Sequence, residues 1–405
     1  MTAVAILGWY GSPNLGDEAE LAAILAALAR LPDPPHATVF SIAPARTQTQ
    51  HGAYPGGLTA LPRNPLAPAG LRALRRARVL ILGGGGLIQD QTSIYNLPVF
   101  TAFALLARGC GCTLQWWGVG VEPLVTPLGR AQARLLVRLA APGAVGLRDA
   151  NSARLLRRAG APRGRLRVSA DPAVTLDPAA APAPPVGAGA GPRVAFCLRD
   201  LPNNPRGAGP GYLLPVALQK RLGLGGRDAA GHARRAAAFY ALLAAAADHA
   251  AAAWGARIVF VPFWPGRDDA IAADVRGRMR HPDAATLLGA VESPAAMRAL
   301  LGTMDLVVGM RLHALIFAAM AGVPVVGFGY AQKVPAFLAR IGQARFALDP
   351  ATVQAADVTA ALDAAWQDRA AIRAELAGRG AALRAAAAAD AAVAARLIGV
   401  GGAKR

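Results

Sequence analysis

The sequence is poor in acids, in lysine and in cysteine. Only 24 Asp and Glu stand against 43 Lys and Arg, a formal net charge of +19. Lysine is confined to Lys220, Lys333 and Lys404, so the positive charge is almost all guanidinium. Part of this goes with the excess of Ala, Gly and Pro and reads as compositional bias. The remainder points to an anionic partner: a phosphate-bearing substrate, an acidic membrane surface or nucleic acid. Three cysteines, Cys110, Cys112 and Cys197, are too few for a disulfide framework, and Cys110 and Cys112 lack a His-rich neighbourhood, which argues against zinc. A reducing, cytoplasmic setting is the expectation. No basic leader precedes TAVAILGWYG, so no signal peptide is expected. No clean twenty-residue apolar run stands out, and the Ala-rich stretch 236–253, interrupted by Asp248 and His249, reads as a helix in water. Basic patches resting on the inner face of the cell membrane are a further expectation.

What the sequence does have is core. It is 54% apolar and 17% charged, and 405 residues exceed one ordinary core, so two domains are expected. Short apolar runs alternate with helical patterns: VAILG, then a helix over 16–31, then ATVFSI, RVLILGGGG, TLQWWGVG, GAVGLRD and RLRVSA. The Pro/Ala/Gly-rich stretch beginning at Leu176 breaks the alternation, which resumes with RVAFCLRD, a helix ending at Trp254, RIVFVPFW, MDLVVGM and VPVVGFG. This pattern predicts an α/β fold of two doubly wound, Rossmann-like domains, residues 1–177 and 193–350, joined by a linker over 178–192 and followed by a helical tail over 351–405. Ligands of such folds bind in the cleft at the strand C-terminal ends.

Several loops at those ends carry chemistry. GWYGSPNLGDEAEL follows a strand and opens a helix; Asn14 tolerates unusual dihedrals, and Asp17 and Glu18 complement the helix dipole or face a ligand. Its glycine spacing excludes the dinucleotide fingerprint. Gly84 and Gly85, within a run of four glycines, allow close backbone approach to a ligand, and Asp90 lies just beyond. Arg148 ends a strand, with Asp149 or Ser152 placed to cap the next helix. In the second half Arg199, Arg311 and Lys333 all follow strands of one predicted sheet, together with His313. Arginine grips carboxylates and phosphates with paired hydrogen bonds, and histidine delivers protons at neutral pH. This convergence favours a site for a compact polyanion. His36, His51, His232, His249 and His281 have no such setting and read as surface residues.

The ordered set GWYGSPNLGDEAEL, ILGGGGLIQD, GLRDANS with SADPAVTL, and GMRLHALIFAAMAGVPVV with a later KV resembles the polysaccharide pyruvyl transferase family, in particular its CsaB type. The resemblance spans about residues 1 to 340. It implies a GT-B-like arrangement with an interdomain cleft, the first domain on the acceptor side and the second on the donor side. It also implies phosphoenolpyruvate as donor and a lipid-linked saccharide acceptor. The product is then a ketal bridging O4 and O6 of an N-acetylmannosamine unit, used in cell-wall polymer synthesis and S-layer anchoring. The family's Arg-x-His pair maps onto Arg311 and His313, its donor-domain arginine onto Arg199 and its lysine onto Lys333. Here Gln332 precedes the lysine, where relatives often carry a carboxylate. On this reading His313 is the general acid or a phosphate ligand, and Arg311, Arg199 and Lys333 hold the donor. Asp17 is the candidate for handling the acceptor hydroxyl, with Asp90 behind it, and Asn14, Gly84, Gly85 and Arg148 are further contacts. No cofactor and no metal are expected. Two rivals remain: a nucleotide-sugar glycosyltransferase of the same architecture, and a non-catalytic polyanion binder. The absence of a basic stripe interleaved with aromatics argues against nucleic acid.

Overall fold

The computed structural model describes residues 2–186, 191–201 and 229–399. Seven parallel strands form the first sheet: β1 (Ala3–Leu7), β2 (His36–Ser41), β3 (Leu58–Pro62), β4 (Ala77–Gly83), β5 (Thr113–Val119), β6 (Ala140–Leu147) and β7 (Leu166–Val168). Their order is β3-β2-β1-β4-β5-β6-β7. The apolar runs are buried on both faces, as parallel strands between two helical layers require. Helices α1 (Leu15–Ala29) and α2 (Pro44–His51) connect the first three strands; α3 (Pro68–Arg76), α4 (Asn96–Gly109), α5 (Pro127–Leu139) and α6 (Ala150–Arg158) lie side by side in one layer.

The second sheet has six parallel strands: β8 (Arg193–Cys197), β9 (Arg257–Phe260), β10 (Ala285–Leu287), β11 (Leu306–Gly309), β12 (Val325–Phe328) and β13 (Ala347–Leu348), in the order β10-β9-β8-β11-β12-β13. Its helices are α7 (Ala229–Trp254), α8 (Asp268–Gly277), α9 (Pro294–Gly302), α10 (Leu312–Met320) and α11 (Lys333–Arg340). Two more, α12 (Ala355–Gln367) and α13 (Arg369–Ile398), make up the helical tail. The fold is two Rossmann-like domains in a GT-B-like arrangement. Part of the linker expectation, 187–190, lies outside the described residues, and its beginning forms a short 3-10 turn at Pro178–Ala180.

In both sheets the strand order reverses direction next to the first strand, between β1 and β4 and between β8 and β11. Doubly wound sheets open a crevice at such a reversal. The two crevices face each other. Leu15 donates its backbone N–H to the Phe263 carbonyl across the gap at 2.9 Å, and Ala19 and Ala23 of α1 pack into the second domain's core.

The tail does more than extend the second domain. α13 crosses back and covers the first sheet beside α1. Its buried Asp390 accepts hydrogen bonds from the Gly118 N–H (3.1 Å), the Ser169 hydroxyl and Arg167, while Gln115 Nε2 donates to the Asp390 carbonyl at 2.8 Å. The helix expected over 236–253 is present as α7, although 230–254 is also long and apolar enough, by length and composition, to cross a membrane. Phe239, Leu243, Ala244 and Ala247 pack one face of this helix into the second domain's core, while Arg234, Arg235, Ala241 and Ala245 on it are exposed.

Candidate active site

The side chains of the site come from loops and opening helical turns that follow the strands, Asp171 alone from behind the edge strand β7. After β1, Asn14 caps α1: its Oδ1 accepts from the Gly16 N–H at 3.4 Å, while Nδ2 donates to Asp17 Oδ2 at 2.8 Å. Ser12 Oγ donates to the same Asp17 oxygen at 3.1 Å. Burial raises the Asp17 pKa, against the lowering pull of His313 and these two hydrogen bonds. Glu18, next along, is buried and turned away. It accepts from the Gly11 N–H at 2.7 Å and pairs with His51 Nε2 at 2.8 Å. Its work is to hold the loop, and His51, expected on the surface, is correspondingly enclosed.

One helical turn beyond Asp17, Glu20 points into the crevice. After β4 the chain passes through Gly84 and Gly85 at φ of +60° and +67°, the left-handed region that favours glycine. That path wraps the backbone around the Glu20 carboxylate. The Gly85 N–H donates to Glu20 Oε1 at 2.5 Å, and a Cβ on Gly84 would fall within 2.4 Å of the carboxyl carbon. The four-glycine loop therefore positions an acid of its own domain.

Opposite stands His313, in the first turn of α10. Its Nε2 lies 3.3 Å from Glu20 Oε1 and 3.5 Å from Asp171 Oδ2. Burial alone would lower the imidazole pKa; Asp171 and Glu20 outweigh it and raise it to about 10, so the ring is an imidazolium at neutral pH. Burial also raises Glu20, to about 8, helped by the nearby Asp171 and Asp17 and opposed by His313. Burial pushes Asp171 the same way, but the imidazolium and Arg148 overcome it and hold Asp171 below the ordinary carboxylate value. Three acids around one imidazolium cannot all ionise cheaply: burial pushes Glu20 and Asp17 up while Asp171 is held down. Sequence reasoning missed both Glu20 and Asp171. The signals were there: Glu20 sits three residues after Asp17 on one helical face, and Asp171 caps the turn Pro172–Thr175 through the Ala173 N–H.

Arg148 is buried among Glu122, Asp149 and Asp171, with its Nη1 3.9 Å from Asp171 Oδ2. Burial would lower its pKa, but those acids raise it, and the charge is permanent. Asp149 caps α6 through the Ser152 N–H at 2.7 Å, as its position predicts. A small pocket opens here between the domains, lined by Arg148, Asp149 and Asp171 on one side and Leu312, Lys333 and Arg340 on the other.

The second domain's cations gather around an aromatic side chain that the sequence did not single out. Arg199 lies over the Tyr330 ring, its guanidinium carbon 4.1 Å from the centroid, and Lys333 Nζ lies 5.3 Å from the same ring. Burial would raise the Tyr330 phenol; Lys333, Arg199 and Arg311 reverse this and lower it to about 8. Arg311 is not a free cation. Its Nε and Nη2 are bonded by the buried Asp268, which also accepts from the Phe263 and Trp264 N–H groups. Asp268 therefore fixes the plane of Arg311 beside the Trp264 ring, 5.7 Å from its centroid.

Asp90 is not brought to the crevice. It is buried and fully engaged at the start of α5, accepting from the Val125 N–H (2.6 Å), the Thr126 N–H (2.9 Å) and the Thr126 hydroxyl (2.5 Å). The ligand atoms of Glu20, Asp171 and His313 lie within 4.8 Å of one another, a donor set of a kind that also holds divalent ions; the sequence reading found no metal group because these residues come from three distant segments.

A family model described as polysaccharide pyruvyl transferase matches residues 14–332. No curated protein matches the chain. Among solved structures, Anabaena Alr3699/HepE in complex with UDP-glucose superposes with a TM-score of 0.60 at 15% identity, covering 98% of this chain and 99% of that one. The UDP-GlcNAc 2-epimerase from Methanocaldococcus jannaschii gives a TM-score of 0.55 at 11% identity, over 90% and 93% of the two chains. A glycosyltransferase from Rickettsia africae ESF-5 gives 0.56 at 8% identity, over 98% and 99%. At these identities the likeness is one of fold.

Proposed function

The chain belongs to the polysaccharide pyruvyl transferase family, and from that premise we propose that it moves pyruvate from phosphoenolpyruvate onto two hydroxyls of one sugar, closing a ketal. The observation that carries this reading is the imidazolium of His313, held between Glu20 and Asp171 two residues from a cluster of three cations. Phosphoenolpyruvate has a carboxylate and a phosphate on a three-carbon frame. Arg199 and Lys333 match two such anions, and Arg311, oriented by Asp268, leaves Nη1 for a third contact.

The chemistry needs a proton on the donor's methylene carbon. His313 gives it from Nε2, and C2 acquires oxocarbenium character. The first sugar hydroxyl attacks C2, and its proton passes to Asp17, whose raised pKa suits that role. The C2–O bond to phosphate then breaks. The second hydroxyl closes the ring, and its proton leaves with phosphate. Arg148 and Arg340, which line the cavity beside Asp171, sit where a charged saccharide carrier would pass. The acceptor we propose is a lipid-linked saccharide containing N-acetylmannosamine, with the ketal across O4 and O6, made at the cytoplasmic side for cell-wall polymers of the S-layer-anchoring kind. That is the CsaB-type reading. No cofactor enters this scheme, and side chains alone neutralise the donor.

The alternative, a nucleotide-sugar-dependent glycosyltransferase, draws support from the fold shared with proteins bound to UDP-glucose. Calorimetric titration separates them. Phosphoenolpyruvate is expected to bind the wild-type protein and to lose affinity in Arg199→Ala and Lys333→Ala. Binding of UDP-glucose without binding of phosphoenolpyruvate would establish the alternative.

A further inference from the structure

Negative charge is missing from one whole face of the first domain. Between Asp33 and Asp171 the sequence has seventeen arginines, no lysine and three acids, Asp90, Glu122 and Asp149. All three acids are buried, Asp90 bonded to Val125 and Thr126, Asp149 capping α6 and Glu122 beside Arg148. The surface built from this stretch is therefore cationic without interruption. Compositional bias does not explain it, because bias acts on the whole chain and residues 171–405 carry seventeen acids against 25 arginines and lysines.

The layer α3 to α6 presents that surface. Arg72, Arg75 and Arg76 on α3 are exposed, as are Arg157 and Arg158 on α6. Among the described residues eight large hydrophobic side chains are exposed, and five of them belong to this layer or lead into it. Leu66 (68% exposed) precedes α3, Tyr95 precedes α4, and Val125 and Leu128 (59%) flank the start of α5. These segments all follow strand C-terminal ends, so the apolar residues share one edge of the sheet with Gly84, Gly85 and the α1 loop.

We propose that this face docks on an anionic lipid bilayer, with the apolar edge entering the headgroup boundary and the arginines of α3 to α6 pairing with lipid phosphates. Exposed apolar groups at the helix starts and guanidinium groups along the same layer to the helix ends together fit an interface that is apolar below and anionic above. A nucleic acid would use the arginines but offers no place for Leu66, Val125 and Leu128. A second copy of the same face would meet like charge. Docking in this orientation sets the acceptor crevice at the membrane. That consequence rests on the lipid-linked acceptor proposed above; the docking itself does not.

Co-sedimentation of the full chain with vesicles tests the proposal, using phosphatidylglycerol mixed with phosphatidylcholine against phosphatidylcholine alone. Binding is expected to the anionic vesicles, weakening as salt rises. The triple reversal Arg72→Glu, Arg75→Glu and Arg76→Glu is expected to lose on the order of 100-fold or more in partitioning. Leu128→Asp, at an exposed position that keeps folding intact, should weaken it as well. Reversal of Arg373, Arg379 and Arg384 on α13 to Glu should leave it near wild type, and the α3 variant should keep wild-type turnover of a water-soluble acceptor. Equal losses in the α3 and α13 variants, equal binding to neutral vesicles, or binding to single-stranded RNA without binding to vesicles would each overturn it. Wild-type vesicle binding by the α3 variant would overturn it too, whatever its turnover. Wild-type protein that binds anionic vesicles but does not turn over phosphoenolpyruvate would count against the catalytic reading instead.

Discussion

Gly16 and His313 fit together in shape, one from each domain. A Cβ added at Gly16 would stand 2.0 Å from His313 Nδ1, far inside any real contact. The N-termini of α1 and α10 approach closely enough that only hydrogen leaves room for the ring. Gly16→Ala is therefore expected to keep the fold, since alanine suits a helix better by up to about 1 kcal/mol, and to lose at least about 100-fold in turnover because the imidazole must move. Circular dichroism and a phosphate-release assay read the two effects separately. An Ala variant as active as wild type would mean that the ring position is unimportant.

The raised pKa of His313 makes stability depend on pH with a definite sign. The folded protein holds a proton on this ring that the unfolded chain releases above 6.5, so the stabilisation is complete below 6.5 and is lost as pH rises to about 10. The slope is at most about 1.4 kcal/mol per pH unit. Glu20 adds a decline of the same sign between its ordinary 4.5 and about 8. Urea midpoints measured from pH 6.5 to 10 should fall less steeply in His313→Gln, and the same variant should lose about 10²- to 10⁴-fold in turnover while still binding donor. Parallel stability profiles for variant and wild type would rule out the imidazolium.

Tyr330 reports on the cation cluster directly. Its phenol, lowered to about 8 by Lys333, Arg199 and Arg311, should give a phenolate absorbance step near that pH which is missing in Tyr330→Phe. Phosphoenolpyruvate bound among those cations would offset their charge and move the step upward. A step that does not respond to the donor would place the ligand elsewhere.

Asp90 separates stability from catalysis. Because its carboxylate holds Val125 and Thr126, the N-cap of α5, in place, Asp90→Ala should cost about 1–3 kcal/mol in unfolding free energy while turnover per folded molecule stays near wild type. A large loss of turnover without a change in stability would return Asp90 to the site.

Chelation decides how Glu20, Asp171 and His313 are used. Turnover is expected to survive exhaustive treatment with EDTA. Loss on chelation, restored by a divalent ion, would make the trio a metal site.

The architecture was legible because parallel strands buried on both faces write themselves as unbroken apolar runs. The strands that escaped, β3, β10 and β13, span only two to five residues each. β3 is held by its register with β2, from Ala37 opposite Leu58 to Ser41 opposite Pro62, which is a tertiary fact. The cations were legible for a related reason: Arg199, Arg311 and Lys333 each follow a strand of one sheet, and topology alone brings them to one edge. Their neutralising partners were not. Asp268 meets Arg311 from 43 residues away, and Glu20 meets His313 from 293 away. Gly84 and Gly85 looked like a seat for ligand because glycine marks close approach without saying what approaches; here it is Glu20.

The anchorage of Asp390 has a consequence for biosynthesis. The first sheet exposes an uncovered flank until α13 has left the ribosome, so the amino-terminal half cannot mature on its own as the chain is being made. Expressed alone, residues 1–177 should need chaperones or come out insoluble, and supplying α13 as a separate peptide should rescue them.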